Sequence, residues 1–131
     1  MYVLDANAVV DYLRGRGAIG ANLLAVAPAE IGLPAVAAYE VWVGVIGSQN
    51  VARRTILFEQ FLSTLQILPF DGGVSRKAAE IRHGLERRGE AIGPLDTLIA
   101  ATAVVNGATL VTRNMREFAR VPELKVVNWY D

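Results

Sequence analysis

Short runs of β-branched and aliphatic residues alternate along this chain with longer segments of helical periodicity, and no other feature limits the fold as tightly. Strands separated by helices pair in parallel, and the helices then cover the sheet. The expected architecture is α/β in three layers, a short parallel five-stranded sheet flanked by helices. Strands are predicted over Tyr2–Leu4, Ile31–Leu33, Ile67–Pro69, Thr109–Val111 and Lys125–Val127. Helices are predicted over Ala8–Leu13, Gly20–Val26, Val36–Ile46, Val51–Leu65, Val74–Arg88 and Pro94–Asn106, with a last turn near Arg116–Phe118. Glycine and proline mark the joints, notably Gly15-Arg16-Gly17, Pro34, Asp71-Gly72-Gly73 and Gly93-Pro94. With 131 residues, 53% of them apolar, residues 1–131 are expected to form one domain around one core.

Thirteen basic residues balance thirteen acidic ones, so any binding of nucleic acid must come from a local basic patch. The chain has no cysteine, which removes disulfides, thiolate metal sites and thiol nucleophiles. The single His83 excludes a multi-histidine metal cage. The opening Tyr2-Val3-Leu4-Asp5 lacks the pattern of a secretory leader, so a cytoplasmic location is expected. Ile31 to Ala52 and Ala91 to Thr112 approach the apolarity of membrane spans. Each carries an interior carboxylate, glycines and a proline, so both are read as buried elements, with no membrane association.

Three acids stand out because each is the lone charge in an apolar segment. Asp5 directly follows the first strand, Glu40 lies within Val36-Ala37-Ala38-Tyr39-Glu40-Val41-Trp42-Val43, and Asp96 opens a helix after Gly93-Pro94-Leu95. An ionised carboxylate is seldom buried without a cation, since desolvation costs several kcal/mol. Taken singly, each has an ordinary structural alternative: Asp5 as a helix cap, Glu40 on a narrow exposed stripe, Asp96 favoured by a helix dipole. Taken together they suggest one crevice, because ligands of open parallel sheets collect at the carboxyl ends of the strands. Clustered hard oxygens suit Mg²⁺ or Mn²⁺, and with them phosphoryl chemistry. Thr112 and Asn114, after the Thr109–Val111 strand, offer neutral oxygens at the same edge. Asn114 is equally well read as a turn residue capping the local backbone, and Glu117 as simply exposed.

The ordered set Val3-Leu4-Asp5-Ala6-Asn7, Tyr39-Glu40-Val41-Trp42-Val43-Gly44, Ile92-Gly93-Pro94-Leu95-Asp96 and Leu110-Val111-Thr112-Arg113-Asn114, followed by Phe118 and Arg120, resembles the PIN domains of VapC-type toxins. The likeness spans nearly the whole chain. It implies that Asp5, Glu40 and Asp96 are the acidic metal-site triad, that Asn114 stands where many members have a fourth acid, and that Asn7 supports Asp5. Asp5 and Asp96 would hold the metal, and Glu40 would be a further ligand or the base that orients its water. Ala6 replaces the usual threonine and removes one hydroxyl from around Asp5. The resemblance further implies a Mg²⁺- or Mn²⁺-dependent endoribonuclease leaving 5′-phosphate and 3′-hydroxyl ends, homodimerisation, and neutralisation by a cognate antitoxin whose peptide covers the acidic groove.

Eleven of the thirteen basic residues are arginines, a side chain suited to forked phosphate contacts. Any one arginine cluster reads more simply as a solvated helix face or as ion pairs with Glu80, Glu86 and Glu117; Arg14, Arg16, Arg113 and Arg116 are the expected RNA contacts, being nearest in sequence to Asp5 and Asn114. Trp42, Val43 and Ile46, with Ile56, Leu57, Phe61 and Leu62, make two helices apolar nearly all round, which adds to the expectation of a homodimer. A haloacid-dehalogenase phosphatase would want an acid where Asn7 stands. A receiver domain would want paired acids at the first strand and an acceptor aspartate on a middle strand. The surviving alternative is a non-cleaving PIN-like module that binds RNA or a partner, to which Ala6 and Asn114 lend weight.

Overall fold

The computed structural model describes residues 1–131. Its strands are β1 (Tyr2–Leu4), β2 (Ile31–Pro34), β3 (Gln66–Leu68), β4 (Thr109–Val111) and β5 (Lys125–Val127). Its helices are α1 (Ala6–Leu13), α2 (Ile19–Leu24), α3 (Ala35–Ile46), α4 (Val51–Leu62), α5 (Gly72–Arg87), α6 (Pro94–Val105) and α7 (Met115–Phe118). The strands form one sheet in the order β3-β2-β1-β4-β5, with every neighbouring pair parallel. β1 occupies the centre, with Val3 opposite Gly32 on one side and Leu110 on the other.

Burial follows from that order. Val3, Leu4, Leu110 and Val111 are each 0% exposed. Successive strand residues point to opposite faces, so β1 and β4 are covered on both, as the three-layer expectation requires. The edge strands β3 and β5 keep exposed residues. At Gly32 the sheet has no room for a side chain, since an added Cβ would lie 2.8 Å from Leu68 Cδ1.

Where element ends depart from the sequence reading, local hydrogen bonding explains the difference. β3 ends at Leu68 because Pro69 has no N–H to give the ladder, and it begins at Gln66, which pairs with Gly32. α5 starts at Gly72, since the Asp71 carboxylate accepts from the Val74 N–H at 3.0 Å and caps the helix ahead of two glycines. α4 stops at Leu62, where the Ser63 and Thr64 hydroxyls turn back onto the carbonyls of Gln60 and Phe61. α2 ends at Leu24, and an unanticipated 3₁₀ turn over Pro28–Glu30 leads into β2.

Two placements matter for function. Strand order reverses at β1, since β2 and β3 lie to one side and β4 and β5 to the other, so the carboxyl ends of β1 and β4 flank a crevice. α6 joins β4 through only Asn106-Gly107-Ala108 and therefore descends from the edge where β4 ends. That brings the first turn of α6 to the same crevice.

Candidate metal and active site

Asp5 leaves β1 in extended conformation and becomes the N-cap of α1, its Oδ1 accepting from the Ala8 N–H at 2.8 Å. It is 7% exposed. Burial raises its pKa, while the Thr112 hydroxyl directed at it and the Ala8 amide oppose the shift, and the charge of Asp11 adds to it. Thr112 is fully buried at the end of β4, and its Oγ1 accepts from the Asn114 N–H at 2.9 Å.

Glu40 and Asp96 are half-buried. The pKa of Glu40 is raised by burial first, then by the charges of Asp96 and Asp5. That of Asp96 is raised by burial, then by Glu117 and Asp5. The three predicted acids therefore share one electrostatic field, although they come from β1, α3 and α6. No ion pair of the molecule engages any of them, nor Glu117. Gly93 makes room for the Asp96 carboxylate, since a Cβ there would stand 3.2 Å from its Oδ2.

The acids do not close into a set of three or more donors around one point. Mg²⁺ does not require such a cage: it keeps several waters and takes one or two carboxylates together with phosphate oxygens. Hard anionic oxygens, pKa values raised by one another and no protein cation among them fit that ion.

The remaining predicted residues fall out unevenly. Asn7 is exposed and makes no hydrogen bond to Asp5, so the support expected of it comes instead from Ala8 and Thr112. The side chain of Asn114 does not cap α7; its Nδ2 donates to Glu117 Oε2 at 2.6 Å. Glu117, expected to be merely exposed, is half-buried and is the foremost charge acting on Asp96. Arg16 pairs with Asp11 at 3.8 Å, and Arg113 lies with Cζ 5.1 Å from the centroid of the Tyr130 ring. Arg116 is exposed and unpaired. Arg14, Arg53 and Arg54 line a cleft of about 260 Å³ between α1, α3 and α4 that has Glu40 in its wall. Glu40 thus joins the acidic crevice to a groove with basic walls.

Asp11 escaped the sequence reading. It is 8% exposed and accepts from the Tyr130 hydroxyl at 2.7 Å. The signal was present in Val9-Val10-Asp11-Tyr12-Leu13, where an acid again stands alone in an apolar run.

Comparison with known proteins identifies the family. Residues 2–124 match the family model described as PIN domain. The chain is 29% identical over 128 residues to the tRNA(fMet)-specific endonuclease VapC of Shigella flexneri, covering 98% of this chain and 97% of that one. It is 36% identical over 99 residues to ribonuclease VapC2 of Rickettsia felis, covering 76% and 74%. The crystal structure of VapBC2 from Rickettsia felis, bound to a DNA fragment from its promoter, superposes with a TM-score of 0.91 at 33% identity, covering 98% of both chains. The chain belongs to the PIN-domain family and stands among its VapC ribonucleases.

Proposed function

We propose that this protein is a divalent-metal-dependent endoribonuclease and the toxin of a toxin–antitoxin pair. The observation that carries the reading is the convergence of Asp5, Glu40 and Asp96 on one strand-end crevice with no protein cation to neutralise them. Asp5 and Asp96 would hold Mg²⁺ or Mn²⁺. When bound, such an ion supplies an acidified water and stabilises charge on a phosphate.

The chain's own residues do the rest. The Ala8 amide fixes the orientation of Asp5, and the Thr112 hydroxyl favours its ionised form. Glu40, with its raised pKa, can accept a proton from water held beside it and orient that water for in-line attack on a phosphodiester. Arg14 on the cleft wall and Arg113 and Arg116 beyond β4 bind backbone phosphates of the RNA. Arg16 is drawn instead toward Asp11. The products are a 5′-phosphate and a 3′-hydroxyl.

The VapBC2 assembly supports a cognate antitoxin as partner, and on this reading a peptide of that antitoxin covers the acidic groove. Tyr39, Val43 and Ile46 are 58%, 56% and 69% exposed along one face of α3, with Ile56 and Leu57 exposed on α4, and this surface supports a homodimer. Trp42 packs edge-on against Phe58 at 4.8 Å, and Phe61 and Leu62 pack against the core, so these three serve the monomer instead. No helix is long and apolar enough to cross a membrane; a cytoplasmic location is part of the proposal.

Incubating purified protein with RNA in Mg²⁺, in Mn²⁺ and in chelator tests the reading. Cleavage should require metal and vanish in Asp5→Asn and Asp96→Asn. RNA bound but uncut in every metal would establish the non-cleaving module instead.

A further inference from the structure

Arg113 presents an anomaly of charge. It follows Thr112 directly, so its side chain issues from the strand end at which Asp5 lies, and none of the crevice carboxylates has a cation of its own. Yet it forms no ion pair with any of them. Its guanidinium instead lies over Tyr130, 5.1 Å from the ring centroid, within cation–π range.

Tyr130 is immobilised from several directions. Its hydroxyl donates to the buried Asp11 Oδ2 at 2.7 Å, and its N–H donates to Asn128 Oδ1 at 2.8 Å. The preceding Trp129 stacks on Tyr2 with centroids 4.8 Å apart, and its carbonyl accepts from Asn22 Nδ2 at 2.7 Å. Gly17, at φ +67°, lets the loop after α1 turn beside the ring, with its Cβ position 3.4 Å from Tyr130 Cδ2. The other carboxylate oxygen of Asp11 faces Arg16 at 3.8 Å. A ring held by Asp11 of α1, in a segment after β5 that α2 ties down through Trp129, gives Arg113 a defined place.

We propose that Asp11 and Tyr130 are positioning residues that hold the Arg113 guanidinium off the acidic crevice and keep it free to bind an RNA phosphate, so that the carboxyl-terminal segment completes the substrate site. The proposal rests on the ribonuclease reading above. The stack does two things. It withholds a cation that would otherwise neutralise the metal-binding carboxylates. It also orders a flexible side chain before RNA arrives, so less rotamer freedom is lost on binding. Arginine suits this arrangement because its flat, weakly hydrated guanidinium stacks on a ring and still offers N–H donors at its edge.

The test measures binding of a short single-stranded oligoribonucleotide in Mg²⁺ across a salt series, in the Asp96→Asn background so that nothing is cut. Adding Arg113→Ala should lower the slope of log affinity against log salt by about 0.7, the value for one phosphate contact on a single strand. Tyr130→Leu should weaken binding roughly two- to fivefold, the worth of an exposed cation–π contact. In the Arg113→Ala background Tyr130→Leu should then weaken it no further, which a merely structural tyrosine would not satisfy. Should Tyr130→Leu not fold, Arg113→Lys decides. It keeps the charge and loses the stack, so the slope should hold while affinity falls by the same factor. An unchanged slope in Arg113→Ala, multiplying losses in the double variant, or full affinity in Arg113→Lys overturns the proposal. RNA binding as described, by a parent protein that never cleaves, refutes the ribonuclease reading and leaves this one standing. No salt-dependent binding by any form refutes both.

Discussion

The carboxylates of α5 and those at the ends of β1 and β4 are the same chemical groups under opposite rules. On α5, Glu80 meets Arg76 at 3.4 Å and Lys77 at 3.5 Å, and Glu86 meets Arg82 at 3.3 Å, every one of these side chains but Lys77 more than half exposed. Such pairs trade weak attraction against side-chain entropy and salt screening, and contribute little. In the crevice, Asp5, Glu40, Asp96 and Glu117 are partly or wholly buried, mutually repulsive and without a basic partner. A chain holding eleven arginines has placed none against them. The contrast teaches that the crevice is arranged for a cation from solution, at a cost in the stability of the metal-free fold.

The largest effect should come from removing one of those charges. Asp5→Asn or Asp96→Asn should reduce cleavage by more than the roughly 10- to 100-fold typical of losing a residue that only supports a metal ligand. The metal-free variants should melt higher than the parent, since a repelled and desolvated charge is gone, and in Asp5→Asn the amide oxygen still caps α1. The sign of the pH dependence follows from the raised pKa values. In the folded state these groups hold protons more tightly than in the unfolded chain. Their contribution to stability is full below the unfolded pKa and is lost as pH rises through the folded one. Metal-free parent protein should therefore lose stability between mildly acid and neutral pH, and Mg²⁺ should restore it. Thermal melts of parent and variants across that range, with and without Mg²⁺, check this; parallel curves for all forms would break the comparison.

Next in size is Thr112→Val, which keeps the shape and removes the hydroxyl. Asp5 loses the group that favours its ionised form, and the Asn114 N–H loses its acceptor. Losing such a part-buried hydrogen bond costs about 0.5–1.5 kcal/mol, and a lost supporting partner roughly 10- to 100-fold in metal affinity or rate. Urea denaturation and Mg²⁺ titration of cleavage measure the two effects. Thr112→Ser should restore both.

The sequence exposed most of this contrast because each half of it has a local signature. Acids spaced four residues from arginines on a polar helix announce Arg82–Glu86 and Arg76–Glu80, and a lone acid inside an apolar run announces Asp5, Glu40 and Asp96. The strands Tyr2–Leu4, Thr109–Val111 and Lys125–Val127 were legible to the residue, being short β-branched runs between clear breakers. What stayed hidden depends on distant partners. Asp11 is held by a tyrosine 119 positions away. Glu117 acts on Asp96 only because α7 and the start of α6 meet at one sheet edge. Glycines at 72 and 73 read as breakers, although the Asp71 cap makes them the first turn of α5.

A smaller effect is expected at Asn114. Its amide donates to Glu117 at 2.6 Å, so Asn114→Asp would set two carboxylates against each other beside Asp96. Without metal the variant should melt slightly lower than the parent. With Mg²⁺ the order should narrow or reverse, because a hard cation gains affinity with each anionic oxygen. Cleavage should then saturate at lower Mg²⁺ even if its maximum falls. An identical Mg²⁺ dependence in parent and variant would confine the metal site to the three predicted acids.

The smallest effect belongs to α5 and serves as the control on which the comparison stands. Glu86→Gln removes the charge that faces Arg82, and both side chains are more than half exposed, at 52% and 68%. Water and salt already screen that pair, and freeing the arginine returns rotamer entropy, so the two terms nearly cancel. The expected change in stability is within roughly 0.5 kcal/mol by urea denaturation, with cleavage and Mg²⁺ dependence unaltered. The sign is also informative. Removing a paired surface carboxylate should leave stability level or slightly lower, whereas removing an unpaired crevice carboxylate should raise it in the metal-free protein. If Glu86→Gln and Asp96→Asn shift the metal-free melting temperature in the same direction by the same amount, the carboxylates of the two regions are energetically alike, and the crevice loses its claim to be arranged for a cation from solution.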